Sequence, residues 1–416
     1  MEMEVLFLSI ASIVAIGFLA DLVFRKTKFP DIVILLLLGV LVGPVFNLLP
    51  RENFTALMPF ISSIALLMIL FNGGLNLDLY KMMKKAPRAV LLAVTGFGLA
   101  MISTGAASYL LLNLSALKSL LLGAIVGGVS SAIVIPVVTE LEGFAEDSRL
   151  TLEIESVITD PLCIIVAIVI MDLIVGTNGV GLSSSVLSPG VARIVSMFSV
   201  SIVVGLVSGL FWLEILQHIK GEKYHYMITL AYLFFVYAAA EMIGGNGAIS
   251  SFMIGLVLGN GSKIRDMFKI EKKYFGLTEK TKAFQDQISF FVKTFFFVFL
   301  GGLITLHKPE LFIYGLVFTV IILISRFVSV ELSSLSSGFN RLERSIMAFM
   351  TPRGLAAAVL ATIPAAEYGI PGTEIFPEVV FSIILGTAVI STLGVFIIEK
   401  RVKKPRKEKD LEIDED

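Results

Sequence analysis

Glu155, Ser156, Thr159, Asp160 and Pro161 fall within one short stretch, ESVITDP (155–161), and an apolar run follows at once. A carboxylate in such a place can be neutralised by a cation or by a proton, and the two exclude each other. Pro161 has no N–H to give to the carbonyl of Val157, so that oxygen loses its helical partner. Ser156 lies four residues before Asp160, on the same helix face, and Thr159 adds a second hydroxyl. One carboxylate, two hydroxyls and a freed carbonyl are hard oxygen ligands. They suit an alkali cation better than a soft transition metal. Glu155 faces a different side of the helix and need not share the site.

Two basic residues also sit inside apolar runs: Lys293 in ISFFVKTFFFVFLGG and Arg353 in IMAFMTPRGLAAAVLA. A charge near mid-bilayer costs about 2.5–3.5 kcal/mol on insertion scales, so such residues face the protein interior and have partners. Glu155 with Arg353 is the expected structural ion pair. Asp160 is then either the ion site or a helix-locking partner of Lys293. A second irregular segment, VGGVSSAIVIPVV (126–138), holds two glycines, two serines and Pro136. A third, MTPRGLAAAVLATIP (350–364), holds Pro352 and Gly354.

The elements that must position these residues are membrane helices. Of the 416 residues 56% are hydrophobic and 16% charged, with mean hydropathy +0.90; soluble domains carry about 25% charged residues. Thirteen apolar segments lie near 4–24, 31–49, 57–77, 89–113, 117–139, 150–175, 192–216, 226–244, 246–262, 285–306, 310–330, 342–366 and 376–399. A helix of about 20 residues spans a ~30 Å hydrocarbon core. The expected fold is therefore all-α and polytopic, with about 13 spans; the alternation of a β-barrel is absent. If spans 1–6 and 8–13 form an inverted repeat, the interrupted fifth and twelfth spans fall at matching positions. Such pairs point to a midplane binding site. The alternative is that glycines merely allow close packing, as expected for GVLVG (39–43), GLVSG (205–209) and GLVLG (255–259).

Charge orients the chain. With the N-terminus outside, one side holds all the Lys and Arg except Lys293, Arg353 and four others: Arg51, Lys118, Arg193 and Lys308. Arg326, Arg341 and Arg344 are assigned to the basic side. The positive-inside rule then gives an outer N-terminus and a cytoplasmic C-terminus in the cell membrane. MEMEVLFL lacks the basic start of a signal peptide, so the first span is expected to be retained. Net charge −1 argues against a nucleic-acid partner, and a lone Cys163 excludes an internal disulfide. His218, His225 and His307 are scattered near the ends of the spans, and Glu241 and Asp172 have no assigned role. No cofactor is expected, and no enzyme-like His or Cys constellation is found.

At these residues the chain resembles the cation–proton antiporter superfamily, in its electroneutral sodium–proton exchanger branch. FPDIVILLLLGVLVGP (29–44), LFNGGLNLDL (70–79), NGAISSFMIGLVLGN (246–260), KTFFFVFLGGLI (293–304) and TPRGLAAAVLA (351–361) resemble family spans in order and spacing. ESVITDP is similar to the branch's Glu-Ser-x-x-Asn-Asp-Pro pattern. The resemblance implies that Asp160 binds cation and proton in turn, that Ser156 is a ligand, and that Glu155 and Arg353 form an internal ion pair. It also implies that Lys293 is a charge-modulating basic position and that the protein is a homodimer.

Two departures matter. Thr159 stands where the electroneutral branch has asparagine, which leaves one titrating carboxylate. Val129, Ser130 and Ser131 replace the fifth span's Thr-Asp-Pro and look like the potassium–proton branch. Na+ and K+ thus both remain open, with Asp160, Thr159, Ser156, Ser130 and Val129 as the candidate ion-binding set. The expected function is monovalent cation/proton antiport by alternating access, exchanging Na+ (or Li+) for H+ one for one and without net charge movement. K+/H+ exchange is the first alternative and a cation channel the second. Spans 4–6 and 11–13 of residues 1–399 are expected to form the transport core, and spans 1–3 and 7–10 the scaffold and dimer interface. Residues 400–416 are expected to be a short, charged, disordered cytoplasmic tail.

Overall fold

The structure is a computed structural model that describes residues 3–27, 31–46, 51–77, 87–139, 141, 144–176, 184–218, 225–261, 279–304, 308–335 and 339–413. Among these, every regular element is helical. Helices α1 (Met3–Thr27), α2 (Asp31–Val40) and α3 (Arg51–Asn76) come first. A π-helical turn at Leu41–Val45 extends α2 and absorbs Pro44, which has no N–H to give. Then follow α4 (Pro87–Leu111), the short pair α5 (Ala116–Ile125) and α6 (Ser131–Thr139), and the long α7 (Glu146–Gly176). The second half holds α8 (Ser184–His218), α9 (His225–Met242), α10 (Gly247–Gly259), α11 (Glu279–Leu303) and α12 (Pro309–Ser334). A second short pair, α13 (Arg341–Phe349) and α14 (Leu355–Ala366), precedes α15 (Phe376–Ile413).

Among the described residues, each of the thirteen apolar segments is centred on helix, and the fifth and twelfth break. Among the described residues, five helices are long and apolar enough to cross a membrane: Pro87–Leu111, Glu146–Gly176, Val195–Leu216, Pro309–Ser334 and Phe376–Ile398. Outward-facing Leu110, Phe235 and Ile324 are at least 60% exposed, a surface suited to lipid rather than water. The tail departs from expectation, because residues 400–413 continue α15.

Close packing uses small residues. A Cβ added at Gly255 or Gly259 of α10 would strike the α3 backbone at Phe71 and Leu75. One at Gly39 of α2 would strike Val298 of α11. Gly205 and Gly209 of α8 meet Ser250 and Val257 of α10 in the same way. The three Gly-x-x-x-Gly motifs thus serve helix contact. Elsewhere α12 packs on α4 and α15, and α7 on α4, α5 and α6.

The breaks have sequence causes. Gly127 and Gly128 follow α5, and a Cβ at Gly128 would come within 2.9 Å of the Thr159 carbonyl oxygen. Asn340 starts α13 with a capping box, its side chain accepting from the Glu343 N–H and the Glu343 carboxylate accepting from the Asn340 N–H, both at 2.9 Å. Pro352 then ends any helical continuation. The two unwound stretches meet: the Ser130 N–H donates to the Pro352 carbonyl at 2.9 Å, and a side chain at Gly354 would collide with Ser130 Oγ.

Candidate cation-binding site

Asp160 lies beside this meeting point, on α7 one residue before the in-helix Pro161. Its Oδ2 accepts two hydrogen bonds from Ser131, from Oγ at 2.6 Å and from the backbone N–H at 3.2 Å. Ser131 is the first residue of α6, so the carboxylate also sits at the positive end of a helix dipole. Thr159 anchors the neighbouring turn. Its Oγ1 accepts from the Val129 N–H at 3.0 Å and lies 3.4 Å from the Val129 carbonyl. Ser156 is fully buried and donates to the Glu153 carbonyl at 2.9 Å.

A cavity of about 710 Å³ reaches this carboxylate. Ser130, Ser131, Asp160 and the α14 start at Leu355 line one wall; Asn72, Asn76 and Lys293 line the other. Asp21 near the end of α1 and Gln287 near the start of α11 also line it. The cavity therefore lies on the side where α1 and α3 end and α11 begins. Towards the other ends of these helices α3 and α14 are joined. Ser62 Oγ and Thr362 Oγ1 are 2.9 Å apart, and Ser63 Oγ donates to Glu367 at 3.2 Å. A smaller cavity of about 220 Å³ there is lined by Tyr237, Glu241, Asn246 and Glu367.

Three basic residues occupy the interior. Arg326 of α12 is 3% exposed and forms a two-pronged pair with Glu155, Nη2 to Oε2 at 2.8 Å and Nη1 to Oε1. Its Nε donates to the Met347 carbonyl at 3.0 Å. Arg353 is 2% exposed, and its Nε and Nη1 have no hydrogen-bond partner among the described residues, though Glu155 and Asp160 are both within Coulombic range. Lys293 Nζ pairs with Asp31 Oδ2 at 2.5 Å.

A floor carboxylate at two crossed, unwound helices, reached by an open cavity, is what an ion carrier requires. The family profile described as "Sodium/hydrogen exchanger, transmembrane" matches residues 9–400. The chain belongs to this family. The exchanger is 28% identical over 363 residues to Na(+)/H(+) antiporter 1 of Methanocaldococcus jannaschii, covering 85% of this chain and 81% of that one. It is also 28% identical over 385 residues to the K(+)/H(+) antiporter NhaP2 of Shewanella sp. strain MR-4, where it spans 64% of the relative's length and 91% of its own. In fold it is similar to the solved sodium proton antiporter MjNhaP1 from M. jannaschii at pH 8. The TM-score is 0.74 at 24% identity, with 95% of this exchanger and 97% of that chain covered.

Of the sequence candidates, Asp160 and Ser130 line the cavity, and Thr159 and Val129 are bonded to each other directly behind it. Ser156 is spent on a backbone bond away from the cavity lining. The expected Glu155–Arg353 ion pair is replaced by Glu155–Arg326, with Arg326 buried on α12 rather than in a loop. Lys293 pairs with Asp31 and not with Asp160. Sequence reading missed Ser131, Arg326 and Asp31. Ser131 was accessible in principle: the first N–H groups of a helix have no intrahelical partner and donate to an anion placed at its start.

Ser131→Ala removes the 2.6 Å hydroxyl donor but keeps the backbone one. The expected result is a three- to tenfold rise in half-saturating cation concentration: a bond to a charged group contributes about 1.5–3 kcal/mol, and a carboxylate that loses such a donor holds its proton more tightly against the cation. Ser156→Ala should leave that concentration unchanged. Cation titration of proton flux in vesicles checks both.

Proposed function

We propose that this exchanger moves Na+ (or Li+) against H+ across the bilayer by alternating access, with cation and proton competing for Asp160. The observation that carries the reading is the Asp160 carboxylate at the inner end of the large cavity, with Ser131 as its hydrogen-bond donor and, among the described residues, no basic side chain bonded to it. Thr159 offers no titrating group, and Lys293 is paired with Asp31 rather than with Asp160. One carboxylate exchanging one cation for one proton moves no net charge, so transport is electroneutral. Exchange is obligatory because the empty charged carboxylate does not cross the low-dielectric core.

The moving core is α4–α7 with α12–α15, and the scaffold is α1–α3 with α8–α11. The large cavity is lined from both groups, and the Ser62···Thr362 contact joins them at the far end. Alternation then means breaking the second while closing the first. In this reading the two halves are an inverted repeat, the scaffold forms a homodimer interface, and the protein lies in the cell membrane with its N-terminus outside and its C-terminus cytoplasmic. The cavity accordingly opens to the cytoplasm.

A second reading, K+/H+ exchange, is favoured by one observation: the fifth-span break presents Ser130 and Ser131 where a second acidic ligand would sharpen selectivity for a small ion. The Shewanella relative's name points the same way. One assay decides. Purified protein is placed in liposomes with an internal pH dye, and Na+, Li+ or K+ gradients are imposed with and without a clamped potential. Cation-driven proton movement, indifferent to voltage, is expected, and the most effective ion settles selectivity. Voltage-driven exchange would refute the one-carboxylate stoichiometry, and absence of proton coupling would refute antiport.

A further inference from the structure

Lys293 is the one basic residue lining the large cavity among the described residues, and it shares that cavity with Asp160. An ammonium has the same charge as the cation to be bound. Left unpaired in a space of low dielectric, it would repel that cation or swing onto the carboxylate itself. Asp31 stands behind it, outside the cavity lining and 5% exposed. Its Oδ2 takes the Lys293 ammonium at 2.5 Å, and its Oδ1 takes the Ile32 N–H at 2.9 Å. Asp31 is also the first residue of α2, where the helix dipole favours a carboxylate.

We propose that Asp31 is a positioning residue for cation binding: it holds Lys293 away from Asp160 and cancels its charge, leaving Asp160 as the unopposed anion of the cavity. This rests on Asp160 being the ion site. A merely structural role, joining α2 to α11, would make Lys293 its equal partner. Those helices are already joined where Gly39 meets Val298 and Gly301. The electrostatic role predicts an asymmetry instead: losing Asp31 alone harms binding, and losing both residues does not.

The experiment compares the wild type, Asp31→Asn and the double variant Asp31→Asn/Lys293→Gln in the liposome assay, with Asp160→Asn as the inactive reference. Asp31→Asn is expected to raise the half-saturating cation concentration at least tenfold with the maximal rate nearly kept. The double variant should return to within threefold of wild type. An unchanged half-saturation in Asp31→Asn, or a double variant as impaired as the single one, would overturn the inference while leaving Asp160 as the ion site. Should Asp31→Asn not fold, the double variant decides alone, because it buries no stranded charge: a tenfold loss there overturns the proposal. Wild-type protein without exchange, or Asp160→Asn with full exchange, overturns the site reading and this inference with it.

Discussion

Asp160→Asn is expected to abolish cation-coupled proton movement, down to the level of protein-free vesicles, while the protein still folds. Both halves follow from the geometry. Asn is nearly isosteric, and its amide oxygen can still accept from the Ser131 hydroxyl and N–H that now bind Oδ2. The contact between α7 and α6 is therefore kept. What disappears is the one carboxylate that, among the described residues, stands in the cavity's inner wall and can hold either a cation or a proton. The folded state loses one anion near Arg353, whose nearer compensation by Glu155 remains, so a modest fall in melting temperature is expected. Two measurements check this, dye-reported flux in vesicles and thermal unfolding in detergent. Full flux from a well-folded Asp160→Asn protein would remove Asp160 from the mechanism. Competition makes a further demand on the wild type: the half-saturating cation concentration should rise as pH falls, because protons then occupy the same oxygen atoms.

Much of this arrangement was legible in the sequence because the bilayer restricts it so severely. Backbone polar groups in lipid must be satisfied internally, so long apolar runs can only be helices. The two helices that break do so where glycine and proline cluster, at 127–128 and at 352–354. Asp160 next to Pro161 stood out because a charge there is costly unless it is used. The three Gly-x-x-x-Gly motifs were read as contact sites, and they do make close helix approaches at α2, α8 and α10.

The pairings were not legible, and the reason is physical. Hydropathy locates a residue along a helix but not around it, and partners are chosen by which faces meet. Arg326 lies in SRFVSVELSS, a polar stretch that reads as the approach to a loop, yet its side chain turns inward onto Glu155. Asp31 follows Pro30 and reads as an ordinary helix start, yet it reaches Lys293 across 262 residues of chain. Ser131 rather than Ser130 holds Asp160, because the register of an unwound stretch has no period from which to read it. Arg353 was matched to Glu155 by family resemblance. The structure places it near Glu155 but gives the hydrogen bonds to Arg326.

That displacement sets up a strong expected effect on stability. Glu155→Gln strands two buried guanidinium groups, Arg326 and Arg353, which share this carboxylate as their principal anion. Removing one partner of a buried pair costs about 3–5 kcal/mol because the other charge is left uncompensated. Arg326→Gln should cost less, about 2 kcal/mol, the scale of one hydrogen bond to a charged group. It loses the bond to the Met347 carbonyl, but Glu155 keeps a cation within range, since Arg353 has Nε and Nη1 donors without partners. Arg353 then becomes the partner that the family resemblance assigns. Thermal melts of the purified single variants should therefore rank wild type above Arg326→Gln above Glu155→Gln. Whatever fraction of Arg326→Gln folds should keep its half-saturating cation concentration, because neither Glu155 nor Arg326 lines the cavity. The reverse ranking would mean that Arg353 cannot reach Glu155, and that the interior is organised by the Arg326 bridge to α13 rather than by charge balance.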